Sequence, residues 1–174
     1  MQDDRIVYRD MDSPLGPMIA GETGRGVCFL EWHDRGGVER IKQRVAARYK
    51  AELISGNNGC LDMLEREIND YFAGKLREFT VPVDVSGTQF EQMVWEKLLE
   101  IPHGETRSYG QLAAELGKPG SARAVGRANG ANYLAIVIPC HRVIEAGGGL
   151  RGYGGKIWRK KKLLDLESFA RNKA

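Results

Sequence analysis

The first half of the chain has the apolar and polar pattern of a small sheet with helices. Two segments of β type, IVYRDM (6–11) and GVCFLEW (26–32), are separated by turn-forming sequences, SPLGP and GETGRG. A helical period follows in VERIKQRVAARY (38–49) and CLDMLEREINDYFAG (60–74), and FTVPVDV near the end of this half predicts a further strand. Residues 1–85 are therefore predicted to form an α/β N-terminal domain with a structural role.

The pattern of the second half is mostly helical. Thr88 and Glu91 form a capping-box sequence at the start of a helix. The apolar face of that helix is predicted to consist of Phe90, Met93, Val94, Leu98 and Ile101. YGQLAAELG (109–117) and SARAVGRANG (121–130) then predict two short helices joined by a Gly/Pro turn, as in a helix-turn-helix. Residues 86–174 are therefore predicted to form a mostly α C-terminal domain.

The second helix of this pair has two possible roles. Its small residues leave the backbone almost bare between Arg123 and Arg127; they are Ala122, Ala124, Gly126, Ala128 and Gly130. A phosphate backbone can approach such a helix closely while the two guanidinium groups reach out to it. A small-residue helix packed against its neighbour, with solvated arginines, explains the same pattern, so both interpretations stay open on this segment alone.

Composition and charge restrict the classes of function. Hydrophobic residues make up 42% and charged residues 28% of the chain, as in soluble globular proteins. No apolar run approaches the roughly 18 residues that span a membrane, and the charged N-terminus is unlike a signal peptide. We expect no membrane partner and a cytoplasmic protein, or a nuclear one in a eukaryote. The net charge is −3 for residues 1–87 and +6 for residues 88–174. The basic second half is where a polyanion would be met, although such asymmetry also arises by chance in many soluble proteins.

Cys140 is the candidate nucleophile among three widely spaced cysteines. It follows the apolar run IVIP, which predicts a short strand ending at Pro139, and His141 and Arg142 come directly after it. Adjacent residues of an extended chain point to opposite sides, so a proton would have to pass from the thiol to His141 through a water unless the chain turns sharply there. The acidic partner of His141 stays open at this stage, with three candidates: Glu145, Asp165 and Glu167.

Other chemistries compete for the same residues. A structural zinc site is disfavoured because the three cysteines and three histidines include no C-x-x-C pair and no histidine pair at helical spacing. A cysteine hydrolase also uses Cys and His, but it does not need a basic helix pair. Pro-Cys-His-Arg at a purely structural strand end is the third alternative.

Three motifs, in order and spacing, carry a family resemblance. SYGQLA, SARAVGRA and IVIPCHRV closely resemble the O6-alkylguanine-DNA alkyltransferases, and SPLG near the N-terminus matches them weakly. The resemblance implies a ribonuclease-H-like N-terminal domain and a winged-helix-like C-terminal domain. It also implies binding of double-stranded DNA in the minor groove, flipping of an alkylated guanine, and irreversible transfer of its O6-alkyl group to a cysteine. No cofactor and no metal are expected, and the protein is expected to be a monomer.

The resemblance assigns the reacting groups residue by residue. Cys140 matches the alkyl acceptor, His141 the base that acts through a water, and Glu167 the carboxylate that orients the histidine. Tyr109 matches the tyrosine that crowds the phosphate and donates a hydrogen bond or proton to the base. Asn132 matches the residue that braces the turn before the active-site segment.

The resemblance also assigns the DNA and base contacts. Arg123 matches the arginine that fills the gap left by the flipped base, and it lies in the predicted DNA-binding set of Tyr109, Ala122, Arg123, Gly126 and Arg127. Val143 and Tyr153 match positions that line the base pocket. Gly154 falls where a backbone N–H contacts the guanine oxygen.

The sequence departs from the family pattern at two places. Tyr133 stands where the family usually has proline, so the turn is expected to be less rigid, and Lys156 stands where the family usually has glycine. The lysines at 160–162 are expected to form a solvated basic face. Two alternative functions remain: a non-catalytic sensor of alkylated bases, which Cys140 argues against, and an alkylation-responsive regulator with the same thiol chemistry.

Overall fold

The structure is a computed structural model that describes residues 5–172, with side chains described through residue 168. The chain divides into two compact units, Met1–Ser86 and Gly87–Ala174. Each unit has its own apolar core. No helix among the described residues is long and apolar enough to cross a membrane.

The N-terminal unit contains a four-stranded sheet in the order β3-β2-β1-β4. Its strands are β1 (Arg5–Met11), β2 (Met18–Glu22), β3 (Val27–Trp32) and β4 (Glu52–Ser55). The pairs β1–β2 and β2–β3 are antiparallel, whereas β1 and β4 are parallel. The two β segments predicted at 6–11 and 26–32 are confirmed as β1 and β3, whereas β2 and β4 were not predicted.

The strand predicted at residues 79–85 is wrong, because this segment makes only an isolated bridge. Val83 pairs with Val27 alone. The Val27 amide donates to the Pro82 carbonyl at 2.8 Å, and the Asp84 amide donates to the Val27 carbonyl at 2.9 Å. Pro82 has no N–H to donate, so the segment cannot continue a regular ladder.

Two helices accompany this sheet. They are α1 (Val38–Tyr49) and α2 (Gly59–Phe72). The side chain of Asn58 caps α2 by accepting a hydrogen bond from the Leu61 amide at 3.0 Å. The helical period predicted for this segment is confirmed, because Leu61, Leu64, Ile68 and Tyr71 are buried on one face of α2. Phe72 is only half-buried.

The C-terminal unit is mostly helical, as predicted. Its helices are α3 (Gln89–Leu99), α4 (Tyr109–Glu115), α5 (Ala122–Gly130) and α6 (Ile157–Asn172). Two very short parallel strands, β5 (Arg107–Ser108) and β6 (Val143–Ile144), pair beside them. The capping box of Thr88 and Glu91 is present. Val94, Leu98 and Ile101 are buried, Phe90 and Met93 only partly so, and the buried Trp95 was not predicted.

The α4–α5 pair has the predicted helix-turn-helix form. Gly117 and Gly120 have φ values of +70° and +88°, which permit the tight connection between the helices. On α5, Val125 is buried whereas Arg123 and Arg127 are exposed. The helix therefore packs against its neighbours along one face and presents both guanidinium groups on the other.

Candidate active site

Cys140 lies in a single 3-10 turn, Cys140–Arg142, and not at the end of a strand. The strand predicted over residues 136–139 is wrong: the segment turns back on itself, with the Ile138 amide donating to the Leu134 carbonyl at 3.0 Å and the Cys140 amide to the Ile138 carbonyl at 2.7 Å. Ile136 has a φ of +70°, an unusual value for a β-branched residue. Residues 132–143 are all buried, and periodicity cannot distinguish a buried strand from a buried loop.

Two asparagine side chains hold this loop. Asn132 accepts a hydrogen bond from the Leu134 amide at 2.9 Å and donates to the Ile138 carbonyl at 3.1 Å. Asn129, at the end of α5, donates to the Cys140 carbonyl at 3.3 Å. The Asn132 contacts fix the turn without proline at the next position, where Tyr133 is buried instead. The role of Asn129 in holding this loop was not predicted. The signal that could have indicated it is a polar residue at the end of a helix of small residues.

Of the three acidic candidates, the structure brings Glu167 to His141. Nε2 of His141 lies 2.6 Å from Oε1 of Glu167, and both side chains are fully buried. The other two candidates form ion pairs elsewhere, Glu145 with Arg151 and Asp165 with Lys161.

The electrostatics of this pair favour a neutral imidazole beside an ionised carboxylate. Burial lowers the pKa of His141 below its usual value, although the Glu167 charge and hydrogen bond oppose that shift. Burial alone would raise the pKa of Glu167, but the contacts from His141 and Arg142 outweigh it and hold that pKa well below its usual range. A neutral His141 donates from Nε2 to the carboxylate. Its Nδ1, buried and without a hydrogen-bond partner among the described residues, is then free to accept a proton.

Tyr109 lies at the start of α4, where Ser108 and Gln111 form a capping box. Its hydroxyl donates to the Arg151 carbonyl at 3.1 Å. Burial raises the pKa of Tyr109, so the phenol stays protonated and keeps its hydrogen to donate. The strand β5 leads into this helix and pairs with β6, which begins at the buried Val143.

The predicted DNA-binding residues share one surface cavity of about 700 Å³. All five line it: Tyr109, Ala122, Arg123, Gly126 and Arg127. Arg151 and Gly152, which were not predicted, complete the lining. The cavity therefore joins the exposed face of α5 to the loop before α6 and contains three arginines.

The predicted pocket residues Tyr153 and Gly154 lie in that same loop. Tyr153 is half-buried and Gly154 is exposed. Two residues later, Lys156 has a φ of +76°, a left-handed conformation that favours glycine. Lys156, which stands where the family pattern has glycine, therefore adopts a backbone conformation that favours glycine.

Lys160 corrects the expectation of a solvated basic face. The last helix begins at Ile157, and within it Lys161 and Lys162 are exposed whereas Lys160 is fully buried. The Lys160 ammonium donates to the Val143 carbonyl at 2.5 Å and lies 6.0 Å and 5.9 Å from the ring centres of Tyr109 and Tyr153. Burial lowers the pKa of Lys160, and the nearby Cys140 and Glu145 partly offset this effect.

The other two cysteines lack this environment. Cys28 is buried in β3, and burial raises its thiol pKa far above the usual value. Cys60 lies in the first turn of α2, and burial raises its pKa as well. Across the described part of the chain, no cluster of His, Cys, Asp and Glu has the arrangement needed to hold a metal ion.

Comparisons with known proteins match both units. Residues 6–85 match the ribonuclease-like domain of 6-O-methylguanine DNA methyltransferase, and residues 89–169 match the DNA-binding domain of the same family. The first match confirms the predicted ribonuclease-like fold of the N-terminal half.

Relatives and solved structures agree with these matches. The chain is 56% identical to the methylated-DNA–protein-cysteine methyltransferase of Mycolicibacterium paratuberculosis and 47% identical to that of Mycobacterium tuberculosis. Each alignment spans 162 residues, 93% of this chain and 92% of the relative. The crystal structure of Mycobacterium tuberculosis OGT in complex with DNA superposes with a TM-score of 0.78 at 45% identity, covering 94% of each chain. The chain therefore belongs to the 6-O-methylguanine DNA methyltransferase family.

Proposed function

We propose that this protein repairs DNA by direct reversal, taking the alkyl group from O6 of a guanine in duplex DNA onto the Sγ atom of Cys140. The observation that carries this proposal is the buried His141–Glu167 pair. Because Nε2 of His141 bonds to Glu167, Nδ1 of His141 is left as a proton acceptor in the same turn as the cysteine. Family membership supplies the substrate class, because the relatives are methylated-DNA–protein-cysteine methyltransferases.

The reaction begins with loss of the thiol proton. The proton passes from Cys140 through a water to Nδ1 of His141, while Nε2 keeps its hydrogen bond to Glu167. The resulting thiolate attacks the alkyl carbon and forms a C–S bond, and the bond between that carbon and guanine O6 breaks. The electron pair of the broken bond stays on the guanine.

The leaving purine must then be stabilised. Negative charge develops on the base as the C–O bond breaks, and it is neutralised by a proton or hydrogen bond from the Tyr109 hydroxyl and by the N–H of Gly154. Val143 and Tyr153 line the pocket that holds the base. The product thioether has no group to hydrolyse it, so each chain reacts once.

The DNA contact is assigned to α4, α5 and the cavity that their residues line. The exposed Arg123 fills the gap in the duplex when the damaged guanine is flipped, and Tyr109 crowds the adjacent phosphate. Gly126 and Ala122 let the DNA backbone approach α5, and Arg127 adds a phosphate contact. Such a protein works where the chromosome is, in the cytoplasm of a prokaryote or the nucleus of a eukaryote.

Mass spectrometry tests the proposal directly. The full-length protein is mixed with an equimolar duplex carrying one O6-methylguanine, and the intact mass and a peptide map are recorded. We expect one added methylene mass, on the Cys140 peptide, saturating at one per chain. Cys140→Ser should bind the duplex and stay unmodified, whereas the matched control Cys28→Ser should react like the wild type. An unmodified wild-type protein that retains the DNA would refute alkyl transfer and leave a damage-binding protein.

A further inference from the structure

Arg142 is the third side chain of the buried cluster that contains His141 and Glu167. Its Nε donates to Oε2 of Glu167 at 3.0 Å and its Nη2 donates to Oε1 at 3.0 Å. Its Nη1 donates to the Ile101 carbonyl at 2.7 Å. The side chain is only 8% exposed. This two-point contact fixes the plane of the carboxylate as well as its position.

The arrangement also sets the charge balance around His141. Oε1 of Glu167 accepts from both His141 and Arg142. Because the carboxylate and the guanidinium cancel, a neutral imidazole leaves the cluster without net charge, whereas an imidazolium adds a buried positive charge. A carboxylate facing the histidine alone would favour the imidazolium instead.

The other neighbours of His141 act in the same direction as Arg142. The charges that act on the ring belong to Glu167 and Lys160 on α6 and to Arg142 in its own turn. The helix α3 also packs against this turn, and the side chains that it buries are Val94, Trp95 and Leu98, none of them charged. Glu167 is thus the only negative group among these neighbours, and Arg142 neutralises it.

We propose that Arg142 is a positioning residue that holds Glu167 against Nε2 of His141 and keeps the imidazole uncharged, so that Nδ1 can take the proton of Cys140. This inference rests on the proposed alkyl transfer. The lowered pKa of His141, caused mainly by burial, agrees with it.

Two variants separate charge from geometry. Arg142→Met removes the guanidinium, and Arg142→Lys keeps a positive charge but loses the two-point contact. The measurement is the single-turnover rate constant of methyl transfer to Cys140 from about pH 5.5 to 8.5. With Arg142→Met we expect the acid limb of the profile to move up by about one pH unit, so that transfer on this limb becomes roughly tenfold slower than in the wild type at the same pH. With Arg142→Lys the limb should stay at the wild-type position.

A matched control is a second buried arginine of the same unit. Arg159 is 3% exposed and donates to the Gly155 carbonyl at 3.3 Å. Arg159→Met should lower stability without moving the acid limb. If Arg142→Met slows transfer by the same factor at every pH, Arg142 has only a structural role and the inference is overturned.

A direct titration of His141 by ¹⁵N NMR is done on the wild type. It therefore depends neither on alkyl transfer nor on whether the Arg142→Met variant folds. The wild-type imidazole should be the neutral Nε2–H tautomer at pH 6.5, where an unperturbed histidine is about half protonated. An imidazolium signal at that pH would overturn the inference. Absence of methyl transfer by the wild type at every pH would instead refute the proposed function, whereas an imidazolium signal alone would overturn only the inference about Arg142.

Discussion

Gly126→Ala should stabilise the protein and weaken its binding to DNA. Gly126 lies inside α5, and its φ is not in the left-handed region that would strain an alanine. A Cβ built there would lie 3.7 Å from Cδ1 and Cε1 of the Tyr109 ring, which is ordinary van der Waals contact. The methyl group therefore fits the folded protein without displacing a neighbour.

The size of the stability gain follows from helix propensity. Replacing a glycine in a helix interior by alanine is worth about 1 kcal/mol. Contact with two atoms of the Tyr109 ring adds little, because Gly126 is only half-buried. We expect the free energy of unfolding to rise by about 0.5–1 kcal/mol, measured by urea denaturation.

The effect on DNA binding should have the opposite sign. Gly126 lines the cavity between Arg123 and Arg127, where the proposed function brings the DNA backbone against α5. A methyl group at this point keeps the backbone away and lengthens the guanidinium–phosphate contacts. We expect duplex affinity at fixed salt to fall about fivefold, or about 1 kcal/mol.

Gly130→Ala is the matched control on the same helix. A Cβ at Gly130 meets no atom within 4 Å beyond its chain neighbours and the backbone of its own helix, and this residue does not line the cavity. It should therefore add stability, by less because it ends the helix, and leave DNA affinity unchanged. Unchanged affinity in Gly126→Ala would refute the assignment of this face to DNA, and a loss of stability would refute the packing argument.

Other perturbations test the remaining charged groups. Arg123→Ala should slow methyl transfer from duplex DNA at least tenfold more than transfer from free O6-benzylguanine, because only duplex DNA must be unstacked; equal losses would contradict the gap-filling role. Because the pKa values of His141 and Glu167 are lowered on folding, the unfolded chain binds more protons below about pH 6.5. The unfolding free energy should therefore fall as the pH drops from 7 to 4, and His141→Gln should flatten the part above pH 5 in urea denaturation. The lowered pKa of Lys160 acts with the same sign at high pH, because the unfolded chain again binds more protons. Wild-type stability should therefore rise relative to Lys160→Met as the pH approaches about 10.5, and a constant difference would argue against a lowered pKa of Lys160.

The elements that the sequence predicted are those with a strong local signal. The capping box at Thr88, the helical period of α2 and the glycine turn between α4 and α5 are each specified by neighbouring residues. The strand β2 was not predicted because all five of its residues, Met18–Glu22, are buried. Its sequence therefore lacks the alternation of apolar and polar residues that marks a strand with one face in water. The short β4 has only four residues and gives no clear period.

The sequence predicted which residues belong to the site, but not the distances and contacts between them. The family resemblance named His141 and Glu167, but their 2.6 Å contact depends on how α6 packs against the Cys140 turn, which no local pattern encodes. Lys160 shows the limit most clearly. In a run of three lysines a solvated face is the ordinary expectation, and only the packing of α6 buries the first of them against Val143.

The helix α5 links the proposed DNA contact to the proposed nucleophile. Arg123, near its start, is exposed in the cavity, and Asn129, near its end, donates to the Cys140 carbonyl. Asn129 is six positions after Arg123 along the helix, a rise of about 9 Å. Trp95 holds the same end of the helix, because its Nε1 donates to the Ala128 carbonyl at 2.8 Å. One short helix therefore fixes the distance between the exposed guanidinium of Arg123 and the turn that carries the thiol.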